Sequence, residues 1–248
     1  MARFVLVHGA FSGAWCWEPM LGPLETAGHV VDTLDLPGSG DDETPLEDVT
    51  LARSAARVVE VLGSRPEPAV LVGVSMGGVA ITQAASDAPD RVASLIYVCA
   101  FMPADGQSLL DLTRLPEGKD DQIQANLVVS GDPPVATMSS ASAAAAAVFN
   151  RCTPEQTEGA LARRRPQPAV LFSTPVAVDE RVLGAIPRSY VLTTADRSLP
   201  PALQRRMVRE HPCRRVVELD TGHAPYLSMP VELTAVLSEL AEEMATAG

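Results

Sequence analysis

The chain has 248 residues, enough to bury one sizeable core, and at 46% hydrophobic and 20% charged residues its composition is that of an ordinary globular domain. A net charge of −12 disfavours contact with a phosphate backbone or an anionic bilayer, so no nucleic acid and no membrane partner is expected. Four dispersed cysteines (Cys16, Cys99, Cys152, Cys213) form no C-x-x-C pair and read as free thiols in a reducing, cytoplasmic compartment.

Met1-Ala2-Arg3 runs straight into a strand-like segment with no secretory apolar stretch, and no apolar run approaches membrane-spanning length. Arg3 to His8 is the first apolar strand, and it enters the glycine-bearing loop His8-Gly9-Ala10-Phe11-Ser12-Gly13. Trp17 to Ala27 has helical character, with Gly28 as its stop. His29 to Leu34 is a second strand, followed by the turn-rich Asp35-Leu36-Pro37-Gly38-Ser39-Gly40. Leu51 to Leu62 has helical spacing, with Thr50 as N-cap. A third strand precedes a helix from Met76 to Ser86, and Ala93 to Ala100 is a fourth strand. Near-continuous apolar strands separated by helices indicate a parallel sheet covered on both faces.

The rhythm breaks at Phe101 and resumes near Pro187. Between them lie two polar turns (Pro103 to Gly106, Gly131 to Pro134), an alanine run favoured as helix, and a helix from Pro154 to Arg164. This stretch reads as a mostly helical insertion over the sheet. The cluster Arg163-Arg164-Arg165 reads as a solvated helix end. Ser189 to Thr194 is a strand, Pro200 to Glu210 a helix, Arg214 to Leu219 the last strand, and Val231 to Met244 a terminal helix.

The chemistry centres on Gly73-Val74-Ser75-Met76-Gly77, a G-x-S-x-G pattern between a buried strand and a helix. Its plain alternative is a β-α turn of a Rossmann-like fold. As a nucleophile elbow it needs small flanking residues, because strand and helix meet there and the serine backbone is strained. A serine nucleophile needs a base oriented by a third group, in the chain order Ser, acid, His. Of four histidines, His8 and His29 precede the serine, and His211, before Pro212, is expected to be exposed. His223 follows the last strand, where catalytic groups of parallel sheets belong. Asp196, after the preceding strand, is the expected acid; alternatively it caps the next helix. Asp179 and Glu180 lie in the insertion, and Asp220 is too near His223 in sequence. The oxyanion donors are expected to be the backbone N–H groups of Met76 and Ala10.

These stretches carry a resemblance. F-V-L-V-H-G-A-F-S-G-A-W-C-W (Phe4 to Trp17), L-D-L-P-G-S-G (Leu34 to Gly40), L-V-G-V-S-M-G-G (Leu71 to Gly78), R-P-Q-P (Arg165 to Pro168), T-A-D (Thr194 to Asp196) and G-H (Gly222 to His223) resemble the α/β-hydrolases of the plant methylesterase and hydroxynitrile lyase branch and their bacterial esterase relatives. The resemblance implies an α/β-hydrolase fold: a six-stranded, mainly parallel sheet with helices on both faces and a mostly helical cap after the fourth strand. Core would be residues 1–100 and 187–248, and cap 101–186. It also implies the triad Ser75, Asp196, His223 and the donors Ala10 and Met76.

The function expected is a serine hydrolase acting on a small, rather apolar carboxylic ester through an acyl-enzyme, with no cofactor and no metal. Phe11, Trp15, Phe101 and Phe149 could line its pocket, though each is more often plain core. The partner is a small-molecule ester, with a homodimer left open. Hydroxynitrile lyase-type C–C cleavage is the alternative, but the lyases' threonine and lysine positions hold Gly9 and Ala224 here. A non-catalytic small-ligand-binding protein of the same fold is the other. A dinucleotide-binding reading fails because the loop G-A-F-S-G is not G-x-G-x-x-G, and H-E-x-x-H is absent.

Overall fold

The computed structural model describes residues 1–245. Its first half alternates as the apolar pattern requires: β1 (Arg3–Val7), α1 (Glu18–Thr26), β2 (Val30–Leu34), α2 (Leu51–Gly63), β3 (Ala69–Val74), α3 (Gly77–Asp87) and β4 (Val92–Val98). Then come α4 (Leu109–Thr113), α5 (Gln122–Asn126), β5 (Leu127–Ser130), β6 (Val135–Met138), α6 (Ala141–Val148), α7 (Pro154–Ala162), β7 (Gln167–Pro168), α8 (Val170–Ser173) and α9 (Glu180–Ala185). The alternation returns with β8 (Arg188–Thr193), α10 (Pro201–Glu210), β9 (Arg215–Leu219), α11 (Pro225–Ser228) and α12 (Pro230–Ala245).

Six strands form one sheet in the order β2-β1-β3-β4-β8-β9, and every neighbouring pair is parallel. Successive side chains of a strand point to opposite faces, so one sequence run feeds two cores. Val5, Val7, Leu71 and Tyr97 pack with Val58 and Leu62 of α2 and Ile81 of α3. Their neighbours Phe4, Leu6, Val72 and Ile96 pack with Met20 of α1 and Leu237 of α12 on the other face. Burial on both faces is why the central strands lack polar alternation.

Local signals fix several ends. Thr50 Oγ1 accepts the Arg53 N–H at 3.1 Å and caps α2. The buried Arg3 reaches the far end of that helix, donating to Val61 O at 2.6 Å and Leu62 O at 3.0 Å and pairing with Asp32 at 2.8 Å. A cation suits the carbonyls at a helix C-terminus. Among the described residues no helix is long and apolar enough to cross a membrane.

The stretch between β4 and β8 is not helical throughout. β5 and β6 pair antiparallel around the Gly131–Pro134 turn, and β7 adds to β6. The β-branched residues flanking that turn were the available hairpin signal. The alanine run is helical, as expected, with Ser140 Oγ capping α6 through Ala143 N.

Candidate active site

The G-x-S-x-G segment is a strained turn held by backbone contacts. Ser75 has φ +55°, in the left-handed region that side-chain-bearing residues avoid. Its carbonyl accepts the N–H groups of Gly78 (3.1 Å) and Phe101 (3.0 Å), and its own N–H reaches Val98 O (3.4 Å). A Cβ on Gly73 would come within 2.8 Å of the Gly77 backbone, and one on Gly77 within 2.6 Å of His8 O. Small residues are therefore required where strand, helix and the loop after β1 converge.

The loops after β8 and β9 bring Asp196 and His223 together. Asp196 Oδ2 lies 2.7 Å from His223 Nδ1, and both residues are buried. That contact sets Nδ1 as the protonated nitrogen and leaves Nε2 as an acceptor. Asp196 also does the capping work of the competing reading: Oδ1 accepts from Ser198 N (2.8 Å) and Leu199 N (2.9 Å). Thr193 Oγ1 (2.9 Å) and Gln204 Nε2 (3.2 Å) donate to Oδ2. Five donors thus hold one carboxylate in one orientation. Ser75 and His223 line the same cavity, but no hydrogen bond joins them among the described residues. Such contacts are often loose until substrate binds.

The loop after β1 is pinned from below. His8 is fully buried; its Nε2 accepts Leu36 N–H at 3.0 Å, so Nδ1 is the donor to Gly9 O at 2.8 Å. Desolvation holds its pKa below the usual histidine value. Asp35 accepts the Ala14 N–H at 2.6 Å and so ties the two glycine-rich loops together. A Cβ on Gly9 would fall 2.8 Å from Ser75 Cβ, which is why this loop can touch the elbow. The N–H groups of Ala10 and Met76, both beside the Ser75 end of the cavity, carry no hydrogen bond among the described residues.

Residues 4–236 match the alpha/beta hydrolase family. The chain belongs to that family. It is 34% identical to putative methylesterase 13, chloroplastic, of Arabidopsis thaliana over 97% of this chain and 56% of that protein, so it spans little more than half of this relative's length. It is 30% identical to methylesterase 7 of the same plant over 98% of this chain and 97% of the other. A pyrethroid hydrolase from Sphingobium faniae JZ-2 superimposes with a TM-score of 0.87 at 28% identity, covering 97% of each chain.

In this hydrolase-family chain the cavity sits between the sheet's carboxyl edge and the inserted elements and has a volume of about 70 Å³. All four expected aromatics, Phe11, Trp15, Phe101 and Phe149, line it. The insertion is bonded to the loops it covers. Asn150 Nδ2 donates to Ala195 O (2.9 Å), Ser198 Oγ to Ala147 O (3.0 Å), and Gln122 N to Arg197 O (2.8 Å). Phe11, itself at φ +62°, is clamped on both sides. Its N–H donates to Gln167 Oε1 (3.1 Å) and its carbonyl accepts from Arg165 N (3.3 Å). Gln167 thus gives the R-P-Q-P motif a positioning role.

Two expectations are corrected. Only Arg163 of the three arginines is a solvated helix end, exposed at the C-cap of α7. Arg163 pairs with Glu18 at 2.8 Å, and Arg165 donates to Gly40 O (2.7 Å) and Asp42 O (2.9 Å). Arg164 turns into the cavity. His211 is half-buried, and burial lowers its pKa. Asp121, which carried no signal in a polar turn, also lines the cavity; burial pushes its carboxyl up to about 6, against the Ile123 and Gln124 N–H groups it accepts. Asp220 faces solvent and accepts the Thr194 hydroxyl at 3.1 Å.

Cys99, Asp196 and His223 are the one group among the described residues whose ligand atoms lie close enough, within 4.8 Å, to suggest a metal. The Cys99 thiol donates to His223 O at 3.5 Å, and burial raises its pKa strongly. The donor atoms of this group already engage one another and the backbone, Asp196 Oδ2 with His223 Nδ1 and the Cys99 thiol with His223 O. All four cysteines are free.

Proposed function

We propose that the protein is a serine esterase that cleaves a small carboxylic ester through an acyl-enzyme. The observation that carries this reading is the convergence on one apolar cavity of a strained serine and a histidine whose far nitrogen is held 2.7 Å from a buried carboxylate. The methylesterase names of its relatives and the hydrolase name of its structural neighbour support the reaction class.

Ser75 Oγ attacks the ester carbonyl while His223 Nε2 takes its proton. Asp196 fixes the imidazole tautomer and stabilises the imidazolium. The free Ala10 and Met76 N–H groups receive the oxyanion. Collapse expels the alcohol, which takes the proton from His223. Water then attacks the acyl-enzyme with the same histidine as base, releasing the acid and restoring Ser75. The core is residues 1–100 and 187–248, and 101–186 act as the cap that closes the cavity. The free thiols support a cytoplasmic location.

Cyanohydrin cleavage needs a cation beside the departing cyanide. Ala224 follows His223, Lys119 and Arg197 are exposed, and the cavity's own cation, Arg164, lies over the Phe11 and Phe149 rings rather than in the place after His223. Pure protein should therefore hydrolyse p-nitrophenyl acetate, with a fluorophosphonate labelling Ser75, and release no cyanide from mandelonitrile above the uncatalysed rate. Cyanide release lost in Ser75→Ala, with no ester turnover, would replace this reading by the lyase one.

A further inference from the structure

The feature the mechanism leaves unused is Arg164. Its Nη1 is buried without a hydrogen-bond partner, and no ion pair or hydrogen bond of its side chain exists among the described residues. Its neighbours in sequence have partners, Arg163 an ion pair with Glu18 and Arg165 hydrogen bonds to two carbonyls. Arg164 has only ring faces: its guanidinium carbon lies 4.7 Å from the Phe11 centroid and 6.0 Å from that of Phe149. Ring faces stabilise a cation but satisfy none of its N–H donors. A guanidinium does not escape by losing its proton, because its pKa stays far above neutrality even where burial lowers it, here to about 10. Arg164 as a whole is half-buried, and Nη1 is the donor shut away from solvent; such a donor on a charged group is retained where something pairs with it.

Two further donors belong to residues that line the same cavity. Trp15 Nε1 and Ser12 Oγ, which face the same cavity, are likewise buried without partners. Ser12 lies against Cys16, so its hydroxyl has a weak alternative. The cavity's acid, Asp121, is not paired with Arg164; the charges that act on it are those of His223 and Asp196. The arginine and the acid therefore serve different parts of the cavity.

We infer that Arg164 is a specificity residue that binds a carboxylate carried by the ester itself, so that the preferred substrate has an apolar body, a scissile ester at Ser75 and one anionic end. A planar guanidinium accepts a carboxylate through two parallel N–H···O contacts, and the Phe11 and Phe149 rings hold it in place for that. This inference rests on the ester reading and sharpens it: the substrate is not wholly neutral.

The test compares paired esters that differ by one charge. On the acyl side, p-nitrophenyl hydrogen glutarate is set against p-nitrophenyl pentanoate. On the alcohol side, 4-acetoxybenzoate is set against phenyl acetate. The wild type should favour the anionic member of one pair in kcat/KM by at least about tenfold, the scale of one charge-assisted contact. The pair that shows the preference locates the anion on the acyl or the alcohol side. Arg164→Leu should abolish the preference, and Arg164→Lys should restore part of it. No preference in either pair, or an equal proportional loss for both members in Arg164→Leu, would overturn the inference. Binding of glutarate and benzoate, measured by calorimetry, separates the two readings. If no ester turns over, the esterase reading fails, while carboxylate binding that is lost in Arg164→Leu still stands for the anion site.

Discussion

The carboxyl edge of the sheet and the inserted elements that cover it build the cavity in different ways. At the sheet edge, position comes from the backbone. The Ser75 turn is held by its own carbonyl and by glycines that leave no room for a Cβ, and Asp196 is held by two backbone N–H groups before any side chain adds to it. In the insertion the cavity-facing groups differ in kind: Arg164 and Phe149 enter as single side chains, whereas Asp121 accepts two local backbone N–H groups. On the proposed mechanism, chemistry would reside in the part that backbone geometry dictates, and selectivity in the insertion.

If that division holds, the largest effects come from the sheet edge. Ser75→Ala should lower kcat on the order of 10⁶-fold, as in other serine triads, with the far-UV spectrum unchanged. A variant keeping more than about a tenth of wild-type turnover would remove the nucleophile from the mechanism. Asp196→Asn should cost on the order of 10⁴-fold in kcat. It leaves Oδ1 free to accept from Ser198 and Leu199, so the turn survives while the imidazole loses its anionic partner. Steady-state kinetics beside thermal melts would tell the two apart: a variant that simply fails to fold argues for the capping role alone.

The sheet edge should also be the sterically intolerant part. A Cβ on Gly78 would be driven into Phe101 O and would lie 3.0 Å from the Ala100 side chain. Gly78→Ala should therefore destabilise by about 3 kcal/mol, the upper range for overpacking, measured by urea unfolding. A neutral outcome would show that the helix after the elbow can shift, and that this edge is less rigid than the backbone contacts imply.

The same division explains what was legible in the sequence. The placements of Gly73, Gly77, Asp196 and His223 could be read because a sharp strand–helix turn needs small residues and because the loops after the last two strands of the sheet meet at its edge. Arg164 could not. Three consecutive arginines after a helix look alike, and their fates depend on Glu18, which lies 145 residues away, on the carbonyls of Gly40 and Asp42, and on a cavity. Gln167 stood in a recognised motif, but its role depends on the strained Phe11 N–H, 156 residues distant. The β5–β6 hairpin had a local signal, its β-branched flanks, which the polar turn between them obscured.

The smallest effect tests the insertion's contribution to stability, at Asp121. This residue caps α5, accepting Ile123 N at 2.7 Å and Gln124 N at 3.1 Å, yet burial raises its carboxyl from 3.8 to about 6. Asp196 nearby adds to the rise, and His223 opposes it. Between those two values the unfolded chain has lost the proton that the folded chain keeps. The native state then binds more protons than the unfolded one, so stability falls as pH rises through this window, and above it the whole cost, on the order of 2–3 kcal/mol, is present. Asp121→Asn keeps the capping oxygen and cannot ionise. It should therefore be more stable than wild type by about 2 kcal/mol at pH 8, with the difference shrinking to nothing near pH 4. Chemical unfolding at three or four pH values measures this directly. A gain of the same size at every pH would assign the effect to packing, and a loss at pH 8 would mean that the charged cap is worth more than its burial costs. Either result would show that desolvation of the carboxylate is not the dominant effect at this position.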